Sequence, residues 1–159
     1  MTKLRILLVD DHAVLRAGLK LLINGQADMV VIGEAGNGQE AIRQTKEHKP
    51  DIIVMDISLP DLSGAEATEQ IKRAYAQVRV LALTRHSNQG YLRRLLRAGA
   101  SGYVLKKTAA DELLNAIRSV ASGGTYLDPI VAREFVEHFV GHSASVDAGH
   151  MLSELTERE

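Results

Sequence analysis

The chain has 159 residues, of which 45% are hydrophobic and 25% charged, with a formal net charge of -1. That length suffices for one domain with a sizeable core and a short appendage, and the near-neutral balance gives no bulk electrostatic reason to expect nucleic-acid or membrane-surface binding. The absence of cysteine excludes disulfides, thiolate metal sites and cysteine nucleophiles, and is compatible with a reducing compartment.

The opening "MTKLRILLVDD" reads as a first strand over 4–9. Asp10 and Asp11 interrupt it too early for a signal peptide or a membrane span, so a cytoplasmic protein without membrane association is the expectation. Val14, Leu15, Leu19 and Leu22 then recur at three- and four-residue intervals, the spacing of an amphipathic helix. A second strand over 29–32 runs towards Glu34 and Ala35, which add no evident chemistry, as suits an edge strand. Ala41 and Ile42 open a weaker second helix.

Residues 52–55 form an unbroken apolar run, the pattern of a strand covered on both faces. It stops at Asp56, shortly before Pro60, which cannot continue a central ladder. Ala67 and Ile71 mark the third helix. The fourth strand, 80–83, ends at Thr84, and Leu92, Leu95 and Leu96 mark the helix that follows. The fifth strand, 103–105, ends at Lys106. Leu113, Leu114, Ile117 and Val120 give the fifth helix, and Thr108 with Asp111 three residues on predicts a capping box at its start. Five strand–helix repeats imply an α/β doubly wound parallel sheet, because each parallel pairing needs a right-handed crossover. This domain is expected over 1–122.

"SGG" at 122–124 is a break, and Asp128 with Pro129 reads as N-cap and first residue of a sixth helix over 129–140. Val131, Phe135, Val136 and Phe139 cluster on one side of it, a stripe that must pack on the first domain or on a second copy. The segment "GHSASVDAGH", 141–150, has linker composition. The expected division is therefore a linker region over 123–152, then the beginning of a further domain at 153–159.

In an open α/β sheet ligands bind beyond the carboxyl ends of the strands. Here those ends carry Asp10 and Asp11, Asp56, Thr84 and Lys106. Taken singly, each has an ordinary explanation: a strand-end Asp caps or turns the chain, and Lys106 beside Lys107 is a solvated pair. Together they place three carboxylates, a hydroxyl and an ammonium at one mouth. Converging carboxylates raise one another's proton affinity unless a cation neutralises them, and an all-oxygen ligand set favours a hard ion such as Mg²⁺. The chemistry this suits is phosphoryl transfer to Asp56 as nucleophile, with metal and Lys106 stabilising phosphoryl oxygens and Thr84 donating to one of them.

At these residues the chain resembles a response-regulator receiver domain of a two-component system. The matching pieces are "LLVDDH", "DIIVMDISLPDLSG", "VLALT" and "GASGYVLKK", spread over about three-quarters of the chain. Within that family "GASGYVLKK" and "LSELTERE" resemble the NarL/FixJ (LuxR-type) class. The resemblance implies a flavodoxin-like strand order 2-1-3-4-5 and Mg²⁺ held by Asp11, Asp56 and the backbone carbonyl of Ser58, with Asp10 acting through water. It also implies a sensor histidine kinase as phosphoryl donor, and DNA binding only through a helix-turn-helix domain of which 153–159 would be the start. Two positions depart from the common pattern. Lys107 stands where many receivers have proline, and Arg85 with His86 follows Thr84 where a small residue often comes first.

A switch is implied in which Thr84 is drawn to the phosphoryl group and Tyr103 fills the vacated space; packing as an edge-strand tyrosine is the alternative for Tyr103. The fourth helix carries Arg93, Arg94 and Arg97, either a solvated basic face or a docking face, and a homodimer is a further candidate assembly. Two rival functions are a Mg²⁺-dependent phosphohydrolase and a pseudo-receiver that acts without phosphorylation. The first needs an acid two residues after the nucleophile, where this chain has Ser58. The second would lack part of the pocket. His12, His48, His138, His142 and His150 show no ligand spacing and read as surface or linker residues.

Overall fold

The computed structural model describes residues 2–85, 89–108 and 110–141, without the side chains at 89, 134, 135 and 138–141. His86, the side chains of Phe135, His138 and Phe139, and all of 142–159 therefore lie outside the described residues. In chain order the elements are β1 (Leu4–Val9), α1 (Ala13–Asn24), β2 (Met29–Ala35), α2 (Gly38–His48), β3 (Ile52–Asp56), α3 (Gly64–Ala74), β4 (Arg79–Thr84), α4 (Gln89–Ala98), β5 (Gly102–Leu105), α5 (Ala110–Ala121), β6 (Tyr126–Leu127) and α6 (Pro129–Gly141).

The strands form one parallel sheet in the order β2-β1-β3-β4-β5-β6. Alternation along each strand feeds two faces. Ile6, Leu8, Ile52, Val54, Leu81 and Leu83 pack with Leu113, Leu114 and Ile117 of α5 and with Ile23 of α1. Their neighbours Leu7, Val9, Ile53, Met55 and Val80 pack on the other face with Ala41 of α2 and with Ala67 and Ile71 of α3. A third cluster joins Leu92 and Leu95 of α4 to Tyr103 and Leu105 of β5 and to Val131 of α6. Winding reverses between β1 and β3, so the crevice beyond their carboxyl ends is the topological switch point.

Local sequence sets the helix starts. Ser63 and Glu66 form a capping box on α3, and the Asn37 carboxamide accepts from Glu40 N–H at 2.8 Å to open α2. At Gly64 a Cβ would lie 2.5 Å from Ile57 Cα and 2.8 Å from the Asp56 carbonyl oxygen. A side chain is thus excluded where α3 closes against the loop leaving β3.

Four features differ from the sequence-based expectations. β2 continues through Ala35, with a register shift against β1 between Ile6 and Leu7. Val14, counted on the inner face of α1, is 88% exposed, and the burial of that helix centres on Ile23. The Thr108 hydroxyl donates to Asp128 Oδ2 instead of capping α5, which begins at Ala110. Finally, the two-residue β6 pairs outside β5, so Tyr103 is not on an edge. Gly102 makes that pairing feasible, since a Cβ there would meet Leu81 Cδ1 at 2.6 Å and the Tyr126 carbonyl at 3.1 Å. The Asp128–Pro129 start of α6 is as expected: Asp128 Oδ1 accepts from Ile130 N–H at 3.0 Å.

Candidate functional site

β1 and β3 lie side by side at the centre of the sheet and deliver Asp10 and Asp56 to the same point, both only 1% exposed. Lys106, leaving β5, reaches between them: Nζ is 2.9 Å from Asp56 Oδ2 and 3.1 Å from Asp10 Oδ2. Its backbone N–H donates to the Thr84 carbonyl at 2.6 Å, which fixes the start of the lysine turn against the end of β4. Thr84 itself is buried. Ser58 donates its N–H to Asp56 Oδ1 at 3.0 Å. The Asp11 carboxylate stands at the exposed rim.

Burial pushes the Asp56 carboxyl above the usual carboxylate range; the Ser58 N–H and the Lys106 ammonium pull it down, and the neighbouring Asp10 pushes it up again. Asp10 Oδ2 is buried without a hydrogen bond, the Lys106 ammonium at 3.1 Å being its ionic neighbour. Three carboxylates against one ammonium leave an excess of negative charge that one divalent cation would balance. The donor set is oxygen-rich, and one atom each from Asp10, Asp11, His12 and Asp56 lie within 4.8 Å of one another. This arrangement fits a hard divalent ion.

All five residues singled out at the strand ends, Asp10, Asp11, Asp56, Thr84 and Lys106, thus meet at one edge. Tyr103 is buried in the third cluster, which also includes Ile57, the residue after Asp56. Sequence reading left one neighbour out of the site and noted another only as a departure from the family pattern at the pocket entrance. His12 Nδ1 lies 3.2 Å from Asp10 Oδ1 and 3.1 Å from Asp11 Oδ1, so it belongs to the acidic cluster as well as to the surface. Arg85 reaches it from β4, with Nη2 2.7 Å from His12 Nε2. Both directly follow a strand-end site residue, and that adjacency was the available signal. Glu34, read as inert, holds α1 in place: Arg16 Nε donates to its Oε1 at 3.0 Å, while Arg16 Nη1 donates to the Asp10 carbonyl at 2.6 Å.

This fold and site are those of a phospho-acceptor signalling domain. The profile of the response regulator receiver domain matches residues 6–118. The chain is 41% identical over 145 residues to the oxygen regulatory protein NreC of Staphylococcus haemolyticus, covering 91% of this chain and 67% of that protein. It is 35% identical to the transcriptional regulatory protein DegU of Brevibacillus brevis, covering 86% of this chain and 58% of that one. Among solved structures, a LuxR-family two-component response regulator from an Aurantimonas species superposes with a TM-score of 0.84 at 38% identity, covering 87% of this chain and 99% of that one. The receiver domain of the response regulator NarL from Mycobacterium tuberculosis superposes with a TM-score of 0.73 at 30% identity, covering 77% and 99%. The chain belongs to the response regulator receiver domain family, with relatives of the NarL/LuxR class. It spans about two thirds of the length of the curated relatives it matches.

Proposed function

We propose that the chain is the phosphorylation switch of a two-component regulator, with Asp56 as acceptor and a sensor histidine kinase as donor. An Asp56 oxygen attacks phosphorus, the N–P bond of a phosphohistidine breaks, and the imidazole leaves with the electron pair. The observation that carries this reading is the Lys106 ammonium between buried Asp56 and Asp10, at 2.9 and 3.1 Å. A cation already stands where phosphoryl charge would arrive.

Asp11 and Asp56 are the proposed Mg²⁺ ligands, with the Ser58 backbone carbonyl completing the protein's share and Asp10 acting through water. When bound, the ion neutralises charge on the phosphoryl oxygens. Lys106 pairs with one of those oxygens and the Thr84 hydroxyl donates to another; Tyr103 follows Thr84 as the second part of the switch. The proposed division is a receiver over 1–122, a linker region with α6 over 123–152, and the start of a LuxR-type DNA-binding domain at 153–159. Transcription control then operates through the portion of the relatives' length that this chain does not span, in the cytoplasm, with a homodimer as the candidate DNA-binding assembly. No described helix is long and apolar enough to cross a membrane.

Of the rivals, a phosphohydrolase is disfavoured because Ser58 offers Asp56 a backbone N–H and has no carboxyl with which to protonate a leaving group. A pseudo-receiver is disfavoured because the acidic pair, acceptor, hydroxyl and lysine are all present. The test is mass spectrometry after incubation with acetyl phosphate and Mg²⁺. One added phosphoryl group is expected on the wild type and none on Asp56→Asn; stoichiometric labelling of that variant would remove Asp56 from the role.

A further inference from the structure

β6 ends one rung short of what β5 needs. Tyr126 N–H donates to the Ser101 carbonyl at 3.0 Å and Asp128 N–H to the Tyr103 carbonyl at 2.9 Å, two successive bonds of a parallel ladder. The next bond would offer a carbonyl to Leu105 N–H. At Pro129, however, the chain turns into α6, and the Asp128 carbonyl is engaged by Ala132 N–H at 2.8 Å. The Asp128 side chain supplies the missing acceptor. Its Oδ2 takes Leu105 N–H at 3.3 Å and also the Thr108 hydroxyl, while Oδ1 takes Ile130 N–H at 3.0 Å.

This carboxylate is fully buried, and its partners are not distributed at random. Leu105 and Thr108 bracket Lys106, whose ammonium bridges Asp56 and Asp10. Ile130 belongs to the first turn of α6, where Ala132 N–H is held by the backbone carbonyl of the same Asp128. One buried side chain therefore ties the turn that carries the site's lysine to the helix that leads out of the domain.

We propose that Asp128 is a positioning residue for phosphoryl transfer, holding the Lys106 turn, and that through the same carboxylate filling of the site is coupled to release of the first turn of α6. The proposal rests on the reading of Asp56 as phospho-acceptor. Pairing with a phosphoryl oxygen requires Lys106 to give up its present partners. The backbone of the turn must then adjust against a carboxylate whose other oxygen is fixed by Ile130. Little else secures α6 among the described residues: Val131 is buried in the third cluster, whereas Ile130 and Val136 are exposed. The link is reciprocal, so whatever detaches α6 also loosens the lysine turn.

Two variants separate the tie from the fold. Asp128→Asn can keep an oxygen on Ile130 N–H, and Asn caps helices as well as Asp does, but it sets an amide nitrogen against Leu105 N–H. Thr108→Val removes one donor at nearly constant volume. Hydrogen exchange at the Ile130 and Ala132 amides is measured with Mg²⁺ alone and with Mg²⁺ plus beryllofluoride, a stable phosphoryl analogue. Labelling by acetyl phosphate is followed in parallel.

In the wild type, filling the site is expected to speed exchange at Ile130 and Ala132 by about five-fold, the worth of one hydrogen bond. Both variants are expected to keep wild-type circular dichroism. Their labelling rate at saturating donor falls about five-fold with KM unchanged, and the exchange response disappears. If Asp128→Asn fails to fold, Thr108→Val decides alone. A wild type whose α6 amides do not respond to beryllofluoride, or variants with wild-type rate and response, would overturn the proposal. A wild type that binds no beryllofluoride and takes no label would instead overturn the acceptor reading on which the proposal rests.

Discussion

Lys106→Met removes the ammonium at nearly constant bulk and leaves two buried carboxylates, Asp10 and Asp56, facing each other. Each lies about 3 Å from Nζ, so the gross attraction lost is about 5 kcal/mol per pair at an effective dielectric near 20. Desolvation of the lysine, no longer required, offsets much of this, and breaking a buried pair costs about 3–5 kcal/mol net. A second bound comes from protonation. A carboxylate with a pKa near 4 can be neutralised at pH 7 for about 4 kcal/mol, and Asp56 for less, since burial already holds it above that range. The two bounds agree on a loss of about 3–4 kcal/mol in metal-free buffer.

The same reasoning fixes how that loss responds to conditions. A divalent ion supplies positive charge to the same oxygens, so saturating Mg²⁺ should reduce the gap between wild type and variant to about 1 kcal/mol. Because the Asp56 pKa is raised in the folded state, its ionised form costs stability. That cost sets in as pH rises through the ordinary Asp value and is complete above the raised one. The gap should therefore be smaller at pH 5 than at pH 7. Urea unfolding followed by circular dichroism, with EDTA or with excess Mg²⁺ at both pH values, reads all three quantities. A gap below about 1 kcal/mol in EDTA, or one indifferent to Mg²⁺, would refute the picture of a lysine neutralising two buried carboxylates.

Asp56→Asn deletes the ionisation that burial disfavours, so in metal-free buffer at pH 7 its melting temperature should rise, by about 2–4 °C for each kcal/mol recovered; a fall would show that the Lys106 pairing outweighs burial. Asp11→Ala should lower Mg²⁺ affinity in a calorimetric titration by at least about ten-fold while leaving the melt intact, because Asp11 is exposed; unchanged affinity would return it to a turn-forming role. Burial and its hydrogen bond to Glu112 push the Tyr126 phenol up to about 12. Its contribution to stability is whole below a pH of about 10 and is lost as pH climbs through 12. In a spectrophotometric titration Tyr126→Phe should lose a tyrosine that titrates near 12; an unchanged absorbance step there would show that Tyr126 is not the perturbed group.

The five main strands and their polar ends were legible because both signals are local. An apolar run broken by Asp56, Thr84 or Lys106 shows where the core stops, and parallel winding sends every such end to one edge. What escaped depends on distant partners. Two-residue β6 has no periodicity to read, and its pairing depends on Gly102 admitting the Tyr126 carbonyl. Thr108 with Asp111 is a sound capping pattern, overridden by a carboxylate at position 128 that folding delivers. Val14 illustrates the opposite error: helical spacing marks it as part of an apolar stripe, yet its side chain is 88% exposed. Periodicity alone does not say which part of a broad stripe meets the sheet.

The placement of charge within the sheet indicates where a signal can leave. Asp10 directly follows β1 and Asp56 ends β3, two strands that are each paired on both sides. Their backbones have no room to yield. The ammonium opposite them is carried just beyond β5, which on its outer side has only the two-residue β6 and then the Asp128 carboxylate in place of a further rung. On the proposed reading, negative charge added at Asp56 attracts Lys106 and repels Asp10, and the response falls on the less supported of the two. In this sheet that partner is the Lys106 turn, and the element fastened to it through Asp128 is α6. On the proposed reading the signal leaves by the strand at the site that lacks a full neighbour, before any particular switch residue is invoked.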